Sequence, residues 1–351
     1  MSSPHPHARY ALRGEATAQS DLQNQQFDTQ VSDLWFTPKV DRKLLKSLMK
    51  RSDGPALWNY GLWLGLMLVS GVGGYLTWGT VWAIPFFAVY GTLYATSDHR
   101  AHELSHGTPF KTRWINEIFY HLAGFMTLHE GHYWRWSHTR HHTHTVVVGK
   151  DPEIAVPRPA NRLHILLDFF FLRSGLVQIR NICCHAAGHI TEAGSHFIPD
   201  AERRKVINSS RVFVLIFALV IGACVWTQSI LPAMFIVLPR FYGGVLPQIF
   251  NVTQHAGLAE DVHDHRLNTR SFATNPVFQW LYANMNFHVE HHMFPMVPYH
   301  RLPELHEAVK DQFPTPCPSV WAAWAEFWPV LSRQSQDPSH HLVRPLPVAS
   351  N

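Results

Sequence analysis

Residues 56–97 read ALWNYGLWLGLMLVSGVGGYLTWGTVWAIPFFAVYGTLYATS and contain no Asp, Glu, Lys or Arg. Two apolar stretches, at about residues 56–78 and 81–97, are separated by a short uncharged turn. Each is near the roughly 20 residues that the hydrocarbon core of a bilayer demands. The stretch therefore predicts two membrane spans that form a helical hairpin.

The same pattern recurs later in the chain. Apolar stretches at about residues 212–227 and 230–250 flank the short uncharged turn Thr227-Gln228-Ser229. The alternative is a soluble protein with four buried helices. Apolar turns favour the membrane hairpins, because a loop on the surface of a soluble protein is normally polar.

Positive charges predict how these spans are oriented. The two hairpin turns carry no Lys or Arg, whereas the opposite ends of the spans carry many, and cytoplasmic loops are enriched in these residues. We therefore expect an all-α integral membrane protein with four transmembrane helices in two hairpins and a helical cytoplasmic cap, formed by residues 98–209 and 251–330. The basic residues are Lys39, Arg42, Lys43, Lys46, Lys50, Arg51, Arg100, Arg203, Arg204, Lys205, Arg211, Arg266 and Arg270.

The ends of the chain differ from the middle in composition. Residues 1–33 are rich in Ser, Gln, His and Asp, and residues 331–351 contain several prolines, so both are predicted to be disordered tails around a membrane domain at 34–330. A shorter apolar run at Ile165–Leu172 cannot span a bilayer. It is either an amphipathic helix in the membrane interface or part of the core of the cap.

The amino-acid composition of the chain suggests a metal-binding protein. The 351 residues include 26 His and 13 Trp, but only 15% are charged. His is the commonest protein ligand for metals. The net charge of +4 does not suggest a nucleic-acid partner, and the four Cys form no CxxC pair, which argues against a disulfide framework or a zinc knuckle.

Three clusters of histidines adjoin the predicted spans on their cytoplasmic side. On a helix, residues at i, i+3 and i+4 share one face, so each cluster can offer two or three ring nitrogens to a metal. The clusters are His102-Glu103-Leu104-Ser105-His106, His138-Thr139-Arg140-His141-His142 and His288-Val289-Glu290-His291-His292.

Eight histidines are too many for one tetrahedral zinc, and they divide naturally between two metals. His255, just beyond the fourth predicted span, is a ninth candidate ligand, or else a capping or substrate-contacting residue. The first cluster alone also matches the HExxH motif of zinc metalloproteases, with Glu103 as the base. A metal transporter or sensor is a third alternative, although its ligands would be expected within the spans.

The set HxxxH, HxxHH, HxxHH, with two hairpins and a cytoplasmic cap, resembles the membrane-bound fatty acid desaturase and hydroxylase superfamily over about residues 56–310. The HELSH box is most similar to the sphingolipid and dihydrorhizobitoxine desaturase branch. Residues 286–295, NFHVEHHMFP, resemble the third box of the superfamily and the Phe-Pro that follows it.

This resemblance implies two iron ions that activate O2, held by His102, His106, His138, His141, His142, His288, His291 and His292, with His255 added. It also implies a lipid or fatty acyl substrate, which the enzyme desaturates or, alternatively, hydroxylates. No HPGG haem motif occurs, so a separate electron donor is expected, such as a ferredoxin, a rubredoxin or a cytochrome b5-like protein. The absence of a fused haem domain and the HELSH box favour a bacterial inner membrane, with both termini and the metal site cytoplasmic.

Ligating imidazoles usually donate their second N–H to a carboxylate or a carbonyl. The residues near enough in sequence to support the histidines in this way are Asp98, Glu103, Asp151, Glu153, Asn251 and Glu290. Arg240 lies within the fourth apolar stretch, where a charge is costly. It is expected to pair with a carboxylate of the cap, to contact an acidic substrate, or to extend its side chain to the membrane interface.

Overall fold

The computed structural model describes residues 7–12 and 35–347. Within them the regular structure is helical, and one isolated bridge pairs Phe272 with Cys317. The helices are α1 (Arg42–Leu48), α2 (Asp53–Leu76), α3 (Ala83–Ala95), α4 (Ser97–Ser105), α5 (Arg113–Met126), α6 (Gly131–Thr143), α7 (Arg162–Asp168), α8 (Leu172–Ala186), α9 (Glu192–Ser195), α10 (Asp200–Thr227), α11 (Leu231–Ile236), α12 (Pro239–Tyr242), α13 (Val245–Asn251), α14 (His265–Asn268), α15 (Pro276–Leu281), α16 (His288–Met293), α17 (Leu302–Val309) and α18 (Val320–Arg333). Short 3-10 turns lie at Ala8–Tyr10, Tyr299–Arg301 and Lys310–Gln312.

Helices α2 and α3 form the first predicted hairpin. Of the described residues, only α2 and α10 form helices that are long and apolar enough to cross a membrane. Helix α3 has 13 residues and is followed after Thr96 by α4, so the chain runs from the hairpin directly into the first histidine cluster.

Helix α10 begins at Asp200, twelve residues before the apolar stretch predicted as the third span. Its first turns carry the basic residues at 203–205, and its later turns are apolar. One continuous helix therefore joins the polar region to the predicted span.

The region predicted as a continuous fourth span, residues 230–250, is instead divided into α11, α12 and α13. Pro232 and Pro239 lie in the first turns of α11 and α12, and Pro247 lies near the start of α13. Proline lacks the N–H that a helix interior requires, so each one favours a new start rather than continuation.

A close crossing between α3 and the end of α12 brings the two hairpins together. A Cβ added to Gly243 would overlap the carbonyl of Gly91, and one added to Gly91 would overlap the ring of Tyr242. Only glycines permit this approach. Beyond the crossing, the Asn251 amide at the end of α13 donates to Asp98 of α4 at 2.6 Å.

The segment predicted as an interfacial run or a core element has one buried side and one exposed side. Ile165 and Phe171 are buried, whereas Leu163, Leu166 and Phe170 are more than half exposed. Helices α7 and α8 therefore carry an apolar outer surface and an inner side that packs against the rest of the protein.

Parts of both predicted tails have defined contacts. In the 7–12 segment, the Tyr10 hydroxyl donates to Glu260 at 2.7 Å. Beyond α18, the Leu342 N–H donates to the Gly257 carbonyl at 2.7 Å. Residues 1–6, 13–34 and 348–351 lie outside the described residues, and the domain boundaries stay a prediction.

Candidate metal centre

The three histidine clusters lie on three separate short helices. His102 is on α4 and His106 is the residue that ends it. The second cluster lies within α6, whose first turn is capped by the Glu130 carboxylate, which accepts the His132 and Tyr133 N–H groups at 3.0 and 2.7 Å. The third cluster makes up most of α16.

His255 lies in the loop that follows α13. Its Nδ1 donates to the Asn268 carbonyl at 2.9 Å, which turns its Nε2 towards the clusters. The Nε2 atoms of His255 and His288 are 3.2 Å apart. The structure therefore brings the ninth predicted histidine to the other eight.

The nine histidines form two groups. In one set of five histidines and another of three, each residue has one ring nitrogen within 4.8 Å of a ring nitrogen of every other member of the set. His288 adjoins the smaller set, because its Nε2 is 3.2 Å from that of His255 and 3.2 Å from that of His292. The first group is His102, His106, His138, His142 and His291, and the second group is His141, His255, His288 and His292.

The spacing of the nitrogens within the groups fits a metal ion. The Nε2 atoms of His291 and His102 are 3.0 Å apart, and that of His138 lies 3.2 Å from His106 and 3.1 Å from His142. Two nitrogens that bind one ion at about 2.1 Å and at right angles lie about 3.0 Å apart. Bare lone pairs facing each other at this distance repel, and a shared cation removes that repulsion. Each group can therefore hold one metal ion.

Carboxylates on the far side of the rings set this arrangement. When Nδ1 donates its hydrogen to a carboxylate, Nε2 is left with a lone pair for a metal. Three of the predicted supporting residues contact a cluster histidine. The Nδ1–oxygen distances are 3.0 Å for His138 and Glu153, 2.9 Å for His141 and Asp151, and 3.1 Å for His291 and Glu103.

The other predicted supporting residues, Asp98, Asn251 and Glu290, have different partners among the described residues. The Asn251 amide donates to Asp98 at 2.6 Å, and Asp98 lies 3.4 Å from the Arg240 guanidinium. Glu290 accepts from the Ser271 hydroxyl at 2.7 Å and also contacts His306. Positions two apart on a helix point to nearly opposite sides, so Glu290 faces away from the nitrogens of its own cluster.

Burial favours the neutral form of eight of the nine imidazoles. It lowers the pKa of His106 and of His291 to about 3, and it lowers the pKa of His102 and of His138 well below the usual 6.5. Burial also lowers the pKa of His141, but the Asp151 carboxylate outweighs it and leaves that pKa raised. Neutral rings are the form that binds metals.

The carboxyl groups that support the rings are also affected by burial. It raises the pKa of Glu103 to about 7 and that of Glu153 to about 7. A cation held by the neighbouring rings would favour the ionised form of both groups.

Other histidines near the clusters stay outside both groups in the described part of the chain. His129 lies 3.6 Å from Asp98, and His185 contacts the Thr191 hydroxyl at 3.2 Å. No ligand role was predicted for them from the sequence either, because eight or nine ligands leave little use for further histidines. The excluded residues are His129, His132, His185, His189, His263 and His265.

No supporting role at the metal centre was predicted from the sequence for three residues that contact the cluster histidines. The Thr145 hydroxyl is 3.1 Å from His292 Nδ1, and the Asn268 carbonyl accepts from His255. The Trp134 ring stacks on His138 with centroids 4.9 Å apart. Of these three, only Trp134 could have been predicted from the sequence, because it lies one helical turn before His138 on the same helix.

A cavity of about 680 Å³ opens beside the centre. His102, His138, His141, His255 and His288 line it at one end. From there it extends past α7 and α8, so a substrate in this cavity can reach the histidines.

Comparisons with known proteins agree with the geometry. A family model described as fatty acid desaturase matches residues 76–324, which is more than half of the chain. A chloroplastic omega-3 fatty acid desaturase of Glycine max is 23% identical over 258 residues, covering 68% of this chain and 56% of that protein.

Two further relatives have similar sequence identities to this chain. A Delta(5) fatty acid desaturase of Caenorhabditis elegans is 23% identical over 275 residues, covering 68% of this chain and 59% of that protein. A chloroplastic sn-2 acyl-lipid omega-3 desaturase (ferredoxin) of Helianthus annuus is 24% identical over 260 residues, covering 66% and 56%. The chain thus spans less than two thirds of the length of each of these three relatives.

Proposed function

Since this chain belongs to the fatty acid desaturase family, we propose that it is an O2-dependent, membrane-bound di-iron desaturase that introduces a C=C bond into the alkyl chain of an acyl lipid. The observation that carries this proposal is the convergence of nine buried or half-buried histidines in two groups, each able to hold one metal ion. The finer assignment, to the sphingolipid and dihydrorhizobitoxine branch, stays a prediction.

Iron is the metal that fits this chemistry. Removing hydrogen from an unactivated C–H bond needs a redox-active metal, which zinc is not, and imidazole ligands suit iron. When bound, the two irons would supply the activation of O2 and the oxidation of the alkyl chain. The overall reaction removes two hydrogen atoms from the chain, takes two electrons from a donor and two protons from water, and reduces O2 to two molecules of water.

The residues of the chain position this chemistry. Asp151 and Glu153 accept from Nδ1 of His141 and His138, which orients those rings so that their Nε2 atoms face inwards. The Glu103 carboxylate lies 3.1 Å from Nδ1 of His291. Apolar residues of the cavity, such as Val146 and Val252, would exclude water and hold the alkyl chain near the metals.

A hydrolytic reading of the HELSH cluster is less well supported. A metalloprotease needs the Glu103 carboxylate free to take a proton from a metal-bound water. Here Glu103 lies against Nδ1 of His291 and accepts the Tyr299 N–H at 3.1 Å, on the side of the ring away from the Nε2 atoms. A single zinc would also leave the second group of histidines without a role.

The proposal includes a membrane location and two partners. Helices α2 and α10 are long and apolar enough to span a bilayer, and the distribution of Lys and Arg favours a cytoplasmic centre with both termini on that side. The location in a bacterial inner membrane stays a prediction. The name of the Helianthus annuus relative includes both an acyl lipid and ferredoxin. We therefore propose an acyl-lipid substrate and a separate electron carrier, of which ferredoxin is the first to try.

Product analysis tests this function. The protein is loaded with Fe²⁺, reconstituted in vesicles of saturated phospholipid, and supplied with ferredoxin, ferredoxin reductase, NADPH and O2. We expect lipid that is lighter by two hydrogen atoms, formed only when O2 and iron are present, and no product from zinc-loaded protein. A product heavier by one oxygen atom would identify a hydroxylase instead, and turnover by zinc-loaded protein would contradict the proposal.

A further inference from the structure

Helix α8 presents three different surfaces. Ile179 and Ile182 pack in a cluster with Phe213 of α10. Leu172 and Leu176 are exposed, with Leu176 at 67% of its surface. On the third side, Val177 and neighbouring polar residues line the cavity that reaches the histidines. The helix thus separates an apolar outer surface from the path to the metal centre.

Two arginines lie at the edge between the apolar surface and the cavity. Arg173 and Arg180 both line the cavity, and they are seven residues apart, so they project in nearly the same direction about 10 Å apart along the helix axis. On the helix they fall between the exposed Leu176 and the cavity-lining Val177. Their long side chains can lean towards a group that lies between them.

Neither guanidinium has a strong acidic partner. Arg180 is exposed, and it forms no ion pair or hydrogen bond with any described residue. Arg173 lies 3.8 Å from Asp168, but both oxygens of that carboxylate accept from Ser174, at 2.8 Å each. The edge therefore holds the guanidinium of Arg180, which has no partner in the part of the chain that the structure describes, and that of Arg173, whose contact with Asp168 is a long one of 3.8 Å.

The acidic residues of this part of the cavity leave Arg180 without an ion pair among the described residues. Glu260 is bound by Arg9 at 2.6 Å and by Arg158 at 3.2 Å. Asp168 and Glu192 also line the cavity, but Asp168 pairs with Arg173 at 3.8 Å, and Glu192 forms no ion pair with either arginine of α8. An anion with a long apolar tail therefore fits the edge of α8, with the tail directed along the cavity.

We propose that Arg173 and Arg180 bind the phosphate of a bilayer phospholipid, whose acyl chain extends through the cavity to the two histidine groups. This inference rests on the proposed desaturase function and specifies its substrate as an acyl chain esterified in a phospholipid. Guanidinium groups bind phosphate through paired, charge-assisted hydrogen bonds. The exposed apolar side of α8 lies beside them, where a lipid of the surrounding bilayer would arrive.

Labelled lipids separate the head group from the chain. Galactolipid vesicles contain iron-loaded protein and a small fraction of isotope-labelled phosphatidylglycerol, or of labelled diacylglycerol with the same acyl chains. The variants are the double substitution Arg173→Gln/Arg180→Gln, the conservative Arg180→Lys, and the control Arg204→Gln, which changes an exposed arginine on α10. A third arm supplies the same acyl chain as a soluble coenzyme A thioester, which also carries phosphate.

The double variant should raise KM for labelled phosphatidylglycerol about tenfold, at the lower end of what a charged hydrogen bond contributes, with kcat and the KM for diacylglycerol unchanged. Arg180→Lys should keep most of the wild-type KM, and Arg204→Gln all of it. Equal KM values in the wild type and the double variant, or faster turnover of the thioester than of the phospholipid, would overturn the inference. If iron-loaded wild-type protein converts none of the three substrates, the proposed function itself fails.

Discussion

Asp151 supports the second histidine group, and replacing it tests how the site retains metal. Its side chain is fully buried. One oxygen accepts from His141 Nδ1 at 2.9 Å and from the Val146 N–H at 2.7 Å, and the other accepts from the Glu153 N–H at 2.8 Å. In Asp151→Asn the shape is kept, but the charge is lost and the new NH2 group must face a donor.

The size of the effect follows from these bonds. A hydrogen bond to a charged group contributes about 1.5–3 kcal/mol, and loss of a carboxylate behind a ligating histidine typically weakens metal binding about 10- to 100-fold. Because Asp151 is buried and makes three such bonds, we expect a loss near 100-fold for the ion of the second group. The ion of the first group should be retained.

Titration of metal-free protein with Fe²⁺ under anaerobic conditions measures this change. The wild type should bind two ions tightly, and Asp151→Asn should bind one tightly and one weakly. Asp261→Asn is the matched control, because Asp261 accepts the Val148 N–H of the same loop at 2.8 Å but is not among the residues that contact a cluster histidine. Unchanged affinity for both ions in Asp151→Asn would refute the role given to this carboxylate.

Two further predictions concern the region that holds the hairpins together. In Gly243→Ala the new Cβ would overlap the Gly91 carbonyl, so thermal unfolding in detergent should show a free energy of unfolding lower by about 1–3 kcal/mol. The control Gly222→Ala places its Cβ in open space and should lose no stability. Equal changes of Tm in the two variants would contradict the close crossing. Arg240→Met leaves Asp98 buried without its cation and should cost about 3–5 kcal/mol, but much less when Asp98 is already Asn. A double-mutant cycle with no coupling energy would show that the pair does not contribute in this way.

Much of the candidate site could be predicted because its spacing is local. Histidines at i, i+3 and i+4 on one helix share a face whatever the rest of the chain does, so each cluster could be interpreted alone. Which histidines share an ion could not be predicted. His291 and His292 are neighbours, but they point about 100° apart on α16, and His291 joins His102, 189 residues away, while His292 joins the other group.

The residues that support the histidines show the same limit of prediction from the sequence. Asp151 lies in a loop close to His141 in sequence, so proximity along the chain sufficed. Asp98 is even closer to His102 in sequence, but its carboxylate turns to Arg240 and Asn251 on other elements, which sequence distance does not reveal.

The fourth apolar stretch is not the continuous helix that was predicted, and the reason was visible in the sequence. Mean apolarity indicated one span, whereas the prolines at 232, 239 and 247 predict interruptions. Hydropathy reports the environment of a segment and not the continuity of its helix. The glycine pair at 91 and 243 could not be recognised in advance, because its meaning depends on two elements that meet only in the fold.

Metal content per chain tests the central claim most directly. Protein purified in detergent is analysed for iron and zinc, beside His138→Ala from the first group and His292→Ala from the second. We predict two irons per wild-type chain and the loss of at least one iron in each variant. One zinc per chain, unaffected by either substitution, would contradict the di-iron centre and the desaturase function built on it.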